Sequence, residues 1–268
     1  MPGQALNVDA VRKRTRGLTI GSDMRYQPSV DSTNRLALEL PDGDWRTGTV
    51  IITDFQEAGR GRTGRSWVAP PESSLLLTVM FRRPTATSSV DYVMLAALAV
   101  RDAIQRVTGL TVALKWPNDV LVCSRKVCGI LSEHVCERSG DRIVVGIGVN
   151  VNLAEHGSEI IPPSATSLDR ELGMPVNREE LTVALMETLN LWYGVLTHQS
   201  DGVYRAWSAA LKSVGREVLV AEPAATWTGT AIEARRDGGL IVRTADGLTR
   251  TVYAADVSIR DPEDFTTP

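Results

Sequence analysis

Between residues 112 and 151 the chain carries four short β-type runs, at 112–115, 120–123, 127–136 and 142–151, with no helix-length segment between them. Parallel neighbours need a crossover of about a dozen residues or more, so runs this closely connected must pair antiparallel. Upstream, residues 49–53 and 75–81 read as two further strands. Residues 91–107 place Val93, Met94, Ala97, Leu98, Val100, Ala103, Ile104 and Val107 on one helical stripe that ends at Gly109. Such a stripe has to lie on a sheet face. Helices are also expected over 178–197 and 203–214, which gives an α+β class with a mostly antiparallel sheet and helices on one face.

From Glu217 the period changes. Short strands are expected at 218–221, 226–234, 240–243, 249–253 and 257–259, a small barrel or sandwich. The expected division is therefore 1–215 for a main domain and 216–268 for a small C-terminal one. The first thirty residues read as polar and irregular, with at most a short helix over 8–14 started by Asp9. Asp31 or Ser32 would cap a helix that runs to Leu40 and stops at Pro41-Asp42-Gly43.

The function classes narrow on charge. A formal net charge of -3, with 43% hydrophobic and 23% charged residues, fits a soluble globular chain and argues against general adhesion to nucleic acid. No apolar run approaches the ~20 residues of a membrane span, and residues 1–16 lack the apolar core of a signal peptide, so a cytoplasmic protein without membrane contact is expected. Cys123, Cys128 and Cys136 match neither a disulfide framework nor a structural zinc spacing, and read as reduced, packed thiols. His134 and Cys136 share a strand face, but two ligands without further partners argue against a tetrahedral metal site.

Against that background the run Gly59-Arg60-Gly61-Arg62-Thr63-Gly64-Arg65, followed by Ser66 and Trp67, is local chemistry. Glycines let backbone N–H groups approach an oxyanion, and guanidinium forks pair with phosphate or carboxylate. An anion-wrapping loop and a flexible basic loop are both open readings of it. Asp31-Ser32-Thr33-Asn34 either caps a helix or presents hydroxyls to a polar ligand. Lys115-Trp116-Pro117-Asn118-Asp119 suits a nucleotide with magnesium, or is a turn with incidental charges. Lys126 begins a strand in which Gly129 permits close approach, and Gly146 and Gly148 leave either a bulge or a ligand slot on one strand face.

In this order along the chain, these clusters, together with Gln56 and Asn150, resemble the biotin protein ligase family over roughly residues 25–260. The resemblance implies a mixed, mostly antiparallel catalytic sheet and a Src-homology-3-like C-terminal barrel. It implies ATP and biotin as substrates with Mg2+, a biotinyl-5′-AMP intermediate, and transfer to a lysine of the biotin carboxyl carrier domain of acyl-CoA carboxylases. Some relatives carry an N-terminal DNA-binding domain, whereas the motifs here start by Ser32, so a monofunctional ligase without direct DNA binding is expected, as a monomer or weak homodimer.

By residue, the resemblance implies Ser32, Thr33 and Gln56 around the ureido ring of biotin, with Gly129 and Gly146 leaving room for the bicycle and valeryl chain. Arg60, Arg62 and Arg65 would gather the carboxylate and the phosphates. Trp67 would pack near adenine, and Asn118, Asp119 and Asn150 would hold the nucleotide, with Asp119 on the metal. Lys126, Arg62 and Asp119 are the implied catalytic residues, and Asn34, Gly59, Gly61, Lys115 and Gly148 complete the binding set. Three arginines repel one another without an anion, so the loop is expected to order on ligand. The competing expectations are a lipoate or octanoate ligase and, in a different class, a nucleic-acid-binding module using the arginine loop.

Overall fold

In the computed structural model, which describes residues 3–84, 87–137, 140–222, 225–253 and 255–259, the chain runs first through α1 (Val8–Arg14), β1 (Asp23–Val30), α2 (Thr33–Glu39), β2 (Thr49–Gln56), β3 (Ser74–Arg82) and α3 (Ser89–Thr108). Then come β4 (Val112–Lys115), β5 (Asp119–Val122), β6 (Arg125–Val135) and β7 (Arg142–Asn150), with no helix between them. After α4 (Leu168–Leu172), α5 (Arg178–His198) and α6 (Ser200–Ala210), the chain ends in β8 (Glu217–Ala221), β9 (Thr226–Ala234), β10 (Leu240–Arg243), β11 (Thr249–Val252) and β12 (Asp256–Ile259).

The main sheet has the order β1-β2-β3-β7-β6-β5-β4. Its pairings are antiparallel except β1 with β2, which run parallel in the register Asp23↔Thr49 to Val30↔Gln56. The mixed, mostly antiparallel α+β class is therefore what the chain adopts. β1 corrects the irregular reading of the first thirty residues. It is an edge strand whose residues are exposed towards its C-terminal end, so its sequence carries no alternation to find. The short first helix is present over the expected residues, but its cap is Asn7, whose Oδ1 accepts from Ala10 N at 3.0 Å, and not Asp9.

Alternate residues of the central strands separate the two faces. Val50 and Ile52 of β2, Leu75, Leu77 and Val79 of β3, and Ile143, Val145 and Ile147 of β7 join the large core beneath α3 and α5. Ile51, Met80 and Val144 point the other way and meet Ala37 of α2 and Trp45. The long helices thus share one face as expected, and among the described residues only short α2 lies on the opposite one. Its last turn is closed by buried Arg142, which donates to the carbonyls of Ala37 at 2.8 Å, Leu38 at 3.2 Å and Leu40 at 2.9 Å. A guanidinium there satisfies carbonyls that a helix end leaves without partners. Because α2 is short, part of this face stays uncovered.

The second sheet is antiparallel, in the order β11-β10-β9-β8-β12. It is tied to the main sheet through Trp116 Nε1, which donates to Gly238 O at 2.9 Å, and to α6 through Tyr204 Oη, which donates to Ala234 O at 3.0 Å. Among the described residues no helix is long and apolar enough to cross a membrane. The three cysteines are free, and only Cys128 is packed as expected, its thiol pushed up by burial; Cys123 and Cys136 are exposed.

Candidate active site

The uncovered part of the α2 face is floored by glycine. Gly129 of β6 pairs directly with Gly148 of β7, and Gly146 lies two residues away along β7. A Cβ at Gly146 would lie 2.3 Å from Asn34 Oδ1, and one at Gly148 would lie 2.8 Å from the Trp67 ring. Neither approach is possible for another residue without displacing the neighbour. The glycines form a slot and no bulge: the β6–β7 register is continuous through both. Gly146 makes room for Asn34, while Gly129 and Gly148 make room for a flat ring, here that of Trp67.

One wall is polar. Thr33 donates to Gln56 Oε1 from its backbone N at 2.9 Å and from Oγ1 at 3.1 Å. Thr78 Oγ1, from β3 beneath, lies 2.8 Å from Thr33 Oγ1 and 2.7 Å from Asn34 Oδ1. Asn34 Nδ2 in turn donates to Glu133 Oε2 at 2.8 Å. Ser32 stands at the N-cap position of α2 but makes no side-chain cap bond, so the hydroxyl is not spent on the helix. Ser32, Thr33 and Asn34 are nonetheless buried, and Thr33 and Asn34 have the partners that make burial of a polar group tolerable.

The glycine-arginine loop closes the opposite wall, and its backbone is bonded to itself. Gly61 N donates to Arg65 O at 2.7 Å, Arg65 N to Arg62 O at 3.1 Å and Trp67 N to Gly59 O at 2.9 Å. Gly59 has to be glycine, because a Cβ would lie 2.4 Å from Trp67 O. Thr63 and Gly64 take φ of 53° and 76° to turn the tip. Each guanidinium has an acceptor: Arg60 pairs with Glu133 at 2.9 Å, Arg62 donates to Asn118 Oδ1 at 3.2 Å, and Arg65 pairs with Asp256 of β12. These partners offset the mutual repulsion of the three cations. Burial lowers the Arg62 pKa from its usual value, with Asp119 opposing the shift.

At the centre Lys126 Nζ lies 2.6 Å from Asp119 Oδ1 and 5.9 Å from the Trp67 ring centre. Lys115 Nζ reaches the other oxygen of Asp119 at 3.5 Å. The Lys126 backbone is pinned on the far side, donating to Ser164 O at 2.9 Å and accepting from Thr166 N at 2.8 Å. Asn150 Nδ2 donates to Thr166 O at 2.9 Å, and its Oδ1 is buried without a partner.

Two adjoining cavities result, of about 140 and 540 Å³. The smaller is lined by Ser32, Thr33, Asn34, Gln56, Arg60, Gly61, Arg62, Arg65, Trp67, Asn118, Asp119, Lys126, Gly129, Gly146 and Gly148. Lys115 and Asn150 line the larger, which shares Arg65, Trp67, Asp119 and Lys126 with the first. Of the site residues expected from sequence, Gly59 alone lines neither and acts through the loop backbone. Sequence reasoning missed Thr78, Glu133 and Asp256 as site components. Thr78 is an ordinary core-strand residue by pattern and Asp256 comes from a different sheet, so no local signal marks those two, whereas Glu133 ends the run that begins at Lys126 and takes no role of its own from it.

Among the described residues no all-protein magnesium cage surrounds Asp119. Both its oxygens face lysine ammonium groups, and among the described residues no three metal-ligating side chains converge there. Magnesium that enters with a nucleotide is held largely by phosphate oxygens and water, with one or two carboxylates at most.

Residues 26–150 match the model of the Biotin/lipoate A/B protein ligase family. The chain is 33% identical to the biotin–[acetyl-CoA-carboxylase] ligase of Paracoccus denitrificans, over 85% of this chain and 96% of that protein. It is 32% identical to the ligase of the same name from Mycobacterium tuberculosis, over 78% of each. Its fold superposes with a TM-score of 0.74 on the biotin protein ligase from Aquifex aeolicus in complex with biotin and ATP, at 26% identity, covering 89% of this chain and 98% of that one. With the glycine floor, the polar wall and the arginine loop assembled in one place, these likenesses mean that the chain belongs to the biotin protein ligase family.

Proposed function

We propose that this ligase joins biotin and ATP into biotinyl-5′-AMP and passes the biotinyl group to a lysine of a biotin carboxyl carrier domain. The observation that carries the reading is the convergence of Lys126 and three loop arginines over a glycine floor beside a hydrogen-bonding wall. Two anions have to meet for the first step. A carboxylate oxygen attacks the α-phosphorus, a new P–O bond forms, and the bond to the β-phosphate oxygen breaks with release of pyrophosphate. Lys126 and the arginines offset the repulsion between carboxylate and phosphates, and Lys126 stabilises charge growing on the phosphoryl oxygens. In the second step a neutral lysine amine attacks the acyl carbon, AMP leaves, and the nitrogen loses a proton.

Thr33, Gln56 and Ser32 are assigned to the ureido ring, whose N–H and C=O groups need partners once buried. Asn150 Oδ1 is assigned to a nucleotide N–H, since it is a buried acceptor with nothing bound to it. Asp119 is assigned the positioning of Lys126 and Lys115, and magnesium to no side chain. The Trp67 ring lies over the two glycines that a flat ligand needs, so it has to leave them when the ligand enters. The division into 1–215 for catalysis and 216–268 for the smaller unit is retained, with Asp256 of the latter holding Arg65.

Pyrophosphate release should depend on biotin and not on lipoate or octanoate. The polar wall of Thr33, Gln56 and Thr78 suits a ring with donors and acceptors, and an apolar acyl tail would leave it unpaired. Release with lipoate and none with biotin would reverse the assignment, and salt-sensitive RNA binding without either activity would replace it. For Arg62→Ala, weaker biotin binding and early loss of the adenylate are expected, roughly tenfold or more in the adenylate dissociation rate, since a half-buried guanidinium is removed. A single-turnover chase of the adenylate reads this, and a wild-type dissociation rate rejects the role.

A further inference from the structure

The hairpin between β6 and β7 lies at the end of those strands opposite Lys126 and Gly129. Three side chains converge on it. His134 Nε2 lies 3.0 Å from Asp141 Oδ2 and 3.9 Å from Cys136 Sγ, and the three ligand atoms all lie within 4.8 Å of one another. The sequence offers only His134 and Cys136 as neighbours. The third partner arrives across the hairpin, where the Val135↔Arg142 pairing brings Asp141 alongside.

Geometry and chemistry agree on one class of ion. Bonds of about 2.0–2.3 Å to zinc in a tetrahedron separate nitrogen, sulfur and oxygen ligands by roughly 3.3–3.8 Å; His134 stands 3.0 Å from Asp141 and 3.9 Å from Cys136, with all three atoms within 4.8 Å, so shifts of about an ångström or less bring them onto one ion. Magnesium and calcium prefer all-oxygen sets, whereas zinc takes thiolate, imidazole and carboxylate together. Asp141 is also held in place before any ion arrives: Arg83 donates to its Oδ2 from Nε at 3.1 Å and from Nη2, and Arg83 N donates to its carbonyl at 2.9 Å. Both side-chain bonds fall on Oδ2, the oxygen that also faces His134 Nε2, so the carboxylate is oriented towards the other two side chains. His134 and Cys136 are exposed, which gives an ion a path of entry.

We propose that His134, Cys136 and Asp141 form a three-ligand zinc site on this hairpin, with water in the fourth position. On binding, Cys136 Sγ loses its proton to solvent and bonds to the ion as thiolate, and no oxidation state changes. The site is separate from the biotin chemistry and does not depend on it.

Cobalt(II) is the probe, because a thiolate ligand gives it a charge-transfer band in the near ultraviolet. The full chain, without a polyhistidine tag, is stripped of metal, reduced with a phosphine and titrated. One equivalent should bind with the band, and Zn2+ should displace it. Cys136→Ser should abolish the band, while Cys123→Ser, which removes the other exposed thiol, should keep it. His134→Ala retains every thiol and should weaken binding by roughly tenfold or more. Biotin-dependent pyrophosphate release at the wild-type rate shows that each variant is folded. Absence of the band at one equivalent, a band that survives Cys136→Ser, or unchanged affinity in His134→Ala would each overturn the site.

Discussion

Lys126→Ala is expected to lower the turnover of biotin-dependent pyrophosphate release by about 10²–10³-fold, the range for removing one charge-stabilising donor at a reacting group. Its Nζ stands 2.6 Å from Asp119, beneath the arginine loop and beside the glycine floor, where on the proposed mechanism it would meet both the carboxylate and the α-phosphate. The backbone at Lys126 is held by Ser164 and Thr166, so truncating the side chain should leave the strand in place. Steady-state pyrophosphate release at saturating biotin and ATP measures the loss, and near-ultraviolet circular dichroism checks the fold. A fall in turnover far larger than any rise in KM fits a group acting in the transition state. Turnover within about threefold of wild type would remove Lys126 from the chemical step. Asp119→Asn should act in the same direction and less strongly, because Lys115 and Lys126 would lose their shared anion but keep their charges.

The largest effect on stability is expected far from the loop, at Asp54 and Arg178. They form an ion pair with side-chain exposures of 5% and 4%. Arg178 also donates to Gln4 O at 3.1 Å and Glu72 O at 2.7 Å, while Asp54 accepts from Leu6 N at 3.2 Å and Tyr26 Oη at 2.6 Å. The N-terminal segment, β1, β2 and α5 therefore meet at one buried pair. Asp54→Ala leaves a guanidinium buried without its counter-charge, and a loss of about 3–5 kcal/mol is expected. For a chain of this size that is a fall of roughly 6–20 °C in Tm, read by calorimetry. Glu180→Ala, which removes the half-exposed partner of Arg14, should move Tm far less. Equal shifts in the two variants would show that the buried network is not special.

The same network has a pH signature. Burial, and then the bond to Asp54, push the Tyr26 hydroxyl from 10.0 up to about 12. A pKa raised in the folded state contributes stability that is full below the unfolded value and lost as the pH climbs through the folded one. Stability from Tyr26 should thus be complete below pH 10 and decline towards pH 12.

Much of the fold could be read from local pattern. The stripe over 91–107 became α3, whose start is a capping box in which Ser88 N donates to Asp91 Oδ2 at 2.8 Å, and whose end is Gly109 at φ 72°. Closely connected runs became β4 to β7 because hairpins leave no room for a crossover. Two features escaped. β1 is a polar edge strand, and its parallel partner follows only after α2 and a loop, so neither alternation nor a turn announces it. The face that α2 covers depends on Ile51, Met80 and Val144, which are apolar on strands buried on both sides and carry no preference by pattern.

Residue types, their order, the antiparallel core and the family lie in the sequence itself, because helical stripes, turn residues and glycine-arginine spacing act over a few neighbours. Tertiary packing alone brought Gly129 opposite Gly148, set Thr78 under Thr33, joined Arg65 to Asp256 and carried Asp141 to His134 and Cys136. Those meetings are set by strand register and sheet contact between distant segments, where the quantity that decides is burial of a shared face and not the preference of any local stretch.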